Sequence, residues 1–180
     1  LDLPHDAFGF TVRELVAMGR HPHVARHGRW TSADDEAVAE ALGAFDLTGL
    51  VDARWAVLSA GQQQRVGLAR TLAQGTPVLL LDEPLARLDP LHVEKVLGRL
   101  RTLADAGHTV VAVIHEPELA ARVADRLVLM RDGGVVADGP PRTILTPATM
   151  AGVWGVRARI VEVVDDDGRT REVIVTTGVI

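Results

Sequence analysis

Ser59 and Gln62 stand three residues apart at the head of the run LSAGQQQRVGLARTLA, residues 58–73. That spacing predicts a capping box: the hydroxyl accepts from the N3 amide while the glutamine reaches back to the N-cap amide. Ala60 and Gly61 keep the first turn bare. A helix N-terminus with free amides and small side chains suits an anion, and phosphate is the usual guest. Further on, Asp82 and Glu83 follow the apolar run Val78–Leu81 in VLLLDEP. In open parallel sheets the carboxyl ends of strands face the ligand crevice. An Asp there can hold Mg²⁺ through water, and a neighbouring Glu can orient or deprotonate an attacking water. His115 closes a second apolar run, TVVAVI, residues 109–114. A histidine at such a strand end can hydrogen-bond a γ-phosphate and sense its presence.

These residues need elements to hold them. Val12, Leu15, Val16 and Gly19 recur at helical spacing and predict a helix over 12–20. The stretch HPHVARHGRW, 21–30, reads as a solvent-exposed loop. Its His21, His23 and His27 have no nearby carboxylate to complete a metal site. Thr31 or Ser32 then reads as an N-cap, before an apolar stripe of Ala37, Val38, Ala41, Leu42 and Phe45. The run 78–81 is expected to be a strand buried on both faces. Asp89 and Pro90 form an N-cap and N1 pair. The helix they open carries Val93, Val96, Leu97, Leu100 and Leu103 and should stop near Gly107. A buried strand over 109–114 follows, and Pro117 opens a helix to about Asp125. This alternation predicts an α/β fold with a mainly parallel sheet.

The C-terminal part changes style. RLVLM, RDGG and VVAD read as strand, turn and strand, and a Pro-Pro step leads into a short helix around 141–152. Segments 156–164 and 170–176 flank DDDG as a β-hairpin. Its acidic tip, Asp165–Asp167, reads as a solvated turn rather than a metal site.

Composition sets outer limits. With 180 residues, 47% hydrophobic and 24% charged, the chain has the balance of a soluble globular protein and the length of one domain. A net charge of -5 excludes a generally basic nucleic-acid binder. The absence of cysteine excludes disulfides, zinc knuckles and thiol catalysis. No apolar run approaches the roughly 20 residues that span a bilayer, and the start, LDLPHDAFGF, lacks the basic and apolar regions of a signal peptide. The chain begins with Leu and its first Met is Met18, so an N-terminal piece is expected to be missing. There are 18 Arg and one Lys, Lys95; chemistry that needs a lysine must use Lys95 or be absent.

Taken in order, the motifs resemble those of the ATP-binding cassette (ABC) transporter ATPases, across roughly residues 10–150. Leu58–Gln62 is similar to the signature motif, Val78–Asp82 to Walker B and Ala86–Asp89 to the D-loop. Glu83 takes the place of the catalytic glutamate and His115 that of the switch histidine. FTVRELVAMGRHPH, 10–23, and GPPRTILTP, 139–147, resemble importers of iron-siderophore complexes, haem and vitamin B12. Three departures stand out. Ala60 replaces the first signature glycine, adding a methyl where backbone approaches phosphate. Leu85 stands where Thr or Ser is common. The P-loop pattern needs a Lys after a Gly, but Lys95 follows Glu94 in the middle of a helix, so Walker A is absent from these residues. The Q-loop glutamine is absent too; His5 lies near its place and is given no role.

The resemblance implies a P-loop NTPase-like fold. Its parts would be a helical subdomain (1–55), the signature, Walker B, D-loop and switch part of an ATPase core (56–150), and a C-terminal β-hairpin (151–180). It implies an ATP-hydrolysing importer subunit with ATP and Mg²⁺ as cofactors. Ser59, Gly61 and Gln62 would grip nucleotide held by a second cassette in a homodimer, and Asp89 would couple the two sites. Asp82 would position Mg²⁺, Glu83 activate water and His115 steady the phosphoryl group. Transmembrane permease subunits would contact residues 10–30 at the cytoplasmic face of the inner membrane, with no direct contact to substrate and none to nucleic acid. The alternatives are a non-catalytic partner that offers only its signature helix, or a soluble ABC protein outside transport. The chain alone is expected to hydrolyse no ATP and to fold poorly, since the strand ending at Asp82 would leave an apolar edge open to aggregation.

Overall fold

The computed structural model describes residues 9–164, 168 and 170–180. His5 and the acidic tip Asp165–Asp167 lie outside them. The chain divides into two compact units, Leu1–Ile114 and His115–Ile180.

The first unit opens with helix α1, Val12–Ala17, capped by a Thr11–Glu14 box. A single 3₁₀ turn, Met18–Arg20, continues it. Helix α2, His21–His27, then occupies the stretch expected as a loop. Its polar composition hides a helix that Pro22 enters in the first turn and Gly28 ends in the left-handed region at φ 72°. Helix α3 is Ser32–Ala44, with Thr31 as N-cap, and α4 is Ala60–Ala73. Helices α1 and α3 pack against α4, burying Val12, Leu15, Val16, Val38, Ala41, Leu42, Val66 and Ala69.

Two buried arginines tie this group together. Arg20 donates from Nε to Asp34 Oδ1 at 2.9 Å and from Nη1 to the Ala73 carbonyl at 3.0 Å, joining the start of α3 to the end of α4. Arg65 donates to the carbonyls of Phe45 and Asp46, closing the other end of α3. Hydrogen bonds from Thr31 and then Arg20 hold the Asp34 carboxyl below its ordinary pKa. Because folding lowers this pKa, the stabilisation is complete above the unfolded value of about 4. It is lost as pH falls through the folded one. Urea unfolding at a series of pH values should therefore show a shallower acid-side decline for Asp34→Asn than for the parent.

Strand β1, Val78–Asp82, pairs in parallel with β2, Thr109–Val113, setting Asp82 opposite Val113. Between them runs α5, Pro90–Asp105. Lys95 Nζ meets Asp46 Oδ2 at 2.6 Å and Arg99 Nη2 meets Glu40 Oε1 at 3.1 Å, linking α5 to α3 and the residue pair that follows it. The expectation that β1 is buried on both faces is corrected. Leu79 and Leu81 are buried, but Leu80 is 69% exposed and Val111 of β2 is 53% exposed. Alternate side chains of a strand point to opposite faces, and the described residues cover one face of this pair.

The second unit holds α6 (Pro117–Val123), the antiparallel pair β3 (Leu127–Arg131) and β4 (Gly134–Gly139), and helices α7 (Pro141–Ile144) and α8 (Pro147–Trp154). Where one short helix was expected around 141–152 there are two, parted at Thr146, the N-cap of α8. The hairpin is β5 (Val156–Val164) with β6 (Thr170–Val179). Leu129, Ile144, Leu145, Met150 and Ile174 form the core of this unit. Among the described residues no helix is long and apolar enough to cross a membrane.

Candidate phosphate and hydrolysis site

The head of α4 is built as a reciprocal cap. Gln62 N–H donates to Ser59 Oγ at 3.3 Å, and Ser59 N–H donates to Gln62 Oε1 at 2.8 Å. Ser59 and Ala60 are exposed. The Ala60 methyl therefore meets solvent within this chain. Gly61 is the tighter position: a Cβ there would lie 2.9 Å from the Arg87 carbonyl oxygen. That separation is too short for an L side chain without movement, so the glycine lets α4 approach the turn after β1.

Asp82 is the last residue of β1, and Glu83 follows with φ 46°. Glu83 N–H donates to the Val113 carbonyl at 3.2 Å, extending the strand pairing by one bond. Both carboxylate residues are exposed, whereas Pro84 and Leu85 are buried and anchor the turn. Leu85, the departure noted above, thus serves packing. Arg87 is left-handed as well, at φ 64°. The turn closes at Asp89, which caps α5: its Oδ1 accepts from His92 N–H at 2.9 Å, and the His92 ring Nδ1 lies 2.8 Å from Oδ2. The backbone bond from His92 and then its ring hold the Asp89 carboxyl below its ordinary value.

The structure thus brings Ser59, Gly61 and Gln62 into one unit with Asp82, Glu83 and Asp89. The contact that joins the two groups was not foreseen: Gln64 Nε2 donates to the Glu83 carbonyl at 2.8 Å. A signal existed, since Gln64 lies three residues after Gly61 and shares its helix face. His115 stands two residues beyond the end of β2, exposed, and opens the second unit. A surface cleft lined by Arg20, His23, Arg29, Thr31 and Asp34 contains none of these groups.

Chemically, the α4 head offers exposed backbone amides and a hydroxyl, a fit for phosphate oxygens. Among the described residues no three His, Asp or Glu side chains gather as a metal cage. Asp82 instead offers a single exposed carboxylate, the mode in which Mg²⁺ is held alongside water and substrate phosphates.

Known proteins resemble this chain in both sequence and fold. The ABC transporter family model matches residues 5–86. A cobalamin import ATP-binding protein of Halobacterium salinarum is 45% identical over 162 residues, covering 88% of this chain and 40% of that protein. A hemin import ATP-binding protein of Nocardia farcinica is 48% identical over 147 residues, covering 82% of this chain and 50% of that protein. The chain therefore spans about half the length of such relatives, or less. Among solved structures, a putative metal-chelate type ABC transporter in an inward-facing conformation matches with a TM-score of 0.85 at 25% identity, covering 98% of this chain and 69% of that one. A bacterial ABC transporter cassette solved as a dimer matches with a TM-score of 0.66 at 30% identity, covering 75% and 58%. With this fold, this order of motifs and these relatives, the chain belongs to the ABC transporter family of ATP-binding proteins.

Proposed function

We propose that this chain is the signature- and Walker B-bearing part of an importer subunit that hydrolyses ATP to drive uptake of an iron complex, haem or a cobalamin-like compound. The observation that carries this reading is the pair of exposed carboxylates at the end of β1, held in one unit with the bare, capped head of α4. The import class comes from the likeness to cobalamin and hemin import proteins.

In this reading Ser59, Gly61 and Gln62 bind the γ-phosphate of nucleotide seated on a second cassette, a homodimer partner. Asp82 holds Mg²⁺ at the chain's own site. The ion, when bound, offsets charge that develops on the phosphoryl oxygens. Glu83 accepts a proton from water as its oxygen bonds to the γ-phosphorus and the bond to ADP breaks, leaving ADP and phosphate. His115 donates a hydrogen bond to the transferring group, and Asp89 couples the two sites. Residues 1–55 serve as the helical part that meets permease subunits at the cytoplasmic face of the inner membrane. Residues 56–150 serve as the hydrolytic part, and 151–180 as a C-terminal extension.

The alternative is a non-catalytic partner that lends only its α4 head. Glu83 and His115 weigh against it, because such a partner has no use for them. Steady-state ATP hydrolysis by the 180-residue chain and by the full-length gene product separates the readings. The chain alone should show no turnover and the full-length product should show it. A full-length product that binds no ATP would overturn the hydrolase reading.

A further inference from the structure

Glu83 is held by its backbone on both sides. Its N–H donates to Val113 of β2, and its carbonyl accepts from Ala86 N–H at 3.2 Å and from Gln64 Nε2 at 2.8 Å. The conformation so held is one that L-residues disfavour, with φ at 46°. Such a state persists only where its surroundings over-determine it. Two of the three restraints are local or belong to the sheet. The third comes from α4, the helix whose head carries Ser59 and Gln62. One turn earlier, on the same face, Gly61 packs against the Arg87 carbonyl. Helix α4 therefore touches the strained turn at both of its left-handed residues or their immediate backbone.

We infer that Gln64 is a positioning residue for Glu83, and that it makes the placement of Glu83 depend on the position of α4. The inference rests on the reading of Glu83 as the residue that activates water. Nucleotide that draws on the α4 head then acts, through one side-chain amide, on the acid at the chain's own site. Gln64 touches neither water nor phosphate in this account. It acts through the Glu83 backbone.

Three substitutions separate the amide donor from side-chain bulk. Gln64→Met keeps the length and removes the donor. Gln64→Glu sets an acceptor against the carbonyl. Gln64→Lys retains a donor of similar reach. In the full-length gene product, Met and Glu should lower kcat by roughly tenfold, the order expected for one hydrogen bond. The KM for ATP should stay unchanged, and Lys should restore kcat to within about threefold, on the same reasoning. The ¹³Cα and ¹³C′ shifts of Glu83, read in the full-length gene product, should leave left-handed values in the Met and Glu variants and keep them in the Lys variant. Unmoved Glu83 shifts in Gln64→Met, or a Lys variant as slow as the Met one, would overturn the inference. Should Glu83→Gln retain full turnover, the hydrolytic reading fails, and with it the catalytic meaning of Gln64. If Glu83→Gln is inactive and Gln64→Met is indistinguishable from the parent, only the positioning role fails.

Discussion

Glu83→Gln is expected to lower ATP turnover by the full-length gene product by about a hundred- to ten-thousand-fold, the range that a positioned general base contributes. Nucleotide affinity should change little. The substitution keeps size and shape, and it removes the group that takes the proton. The fold around it should tolerate the change, since Glu83 is exposed and its backbone is bonded to Val113, Ala86 and Gln64. Single-turnover hydrolysis and equilibrium ATP binding, measured side by side, check both halves. Turnover within threefold of the parent would remove Glu83 from the reaction.

Gly19→Ala is expected to destabilise the first unit by about 3 kcal/mol, the upper part of the usual cost of overpacking. A Cβ at Gly19 would sit 2.3 Å from the Arg70 carbonyl oxygen and 3.1 Å from the Ala73 Cβ. The obstacle is helix backbone in α4, which cannot swing aside as a long side chain can. Intrinsic propensity argues the other way, because Ala is better than Gly in a helix by about 1 kcal/mol. The clash outweighs it. Gly98→Ala supplies the control: it lies within α5, is exposed, and a Cβ there meets nothing within 4 Å. Denaturant unfolding should place Gly98→Ala at or above the parent and Gly19→Ala well below it. Equal midpoints for the two variants would show that the 3₁₀ turn after α1 and helix α4 are not held as close as described.

Local features were the ones legible in the sequence. The Ser59–Gln62 cap, the end of β1 at Asp82 and the Asp89–Pro90 helix start each follow from a few neighbouring residue types, and each lies where those types require. Helix α2 was missed because histidine and arginine masked a helix whose ends are set by Pro22 and Gly28. The one-sided cover of β1 was missed for a different reason. An apolar run shows that burial is affordable on both faces, but neighbours distant in sequence decide which face receives it. The Gln64–Glu83 bond and the Gly61–Arg87 approach belong to the same class. They join residues 19 and 26 apart in the sequence, and no periodicity within either segment encodes them. The left-handed backbone at Glu83 was likewise hidden, since residue type alone would have suggested glycine there.

Lys95 carries the only side-chain amine in the sequence, and that amine is paired with Asp46 across α5 and the end of α3. An amine-selective reagent can therefore modify one side chain and no other. Its ion pair with Asp46 sets that one tag where α5 meets the turn that follows α3. A chain that uses arginine almost everywhere has left, in its single lysine, a unique attachment point for a probe of that contact.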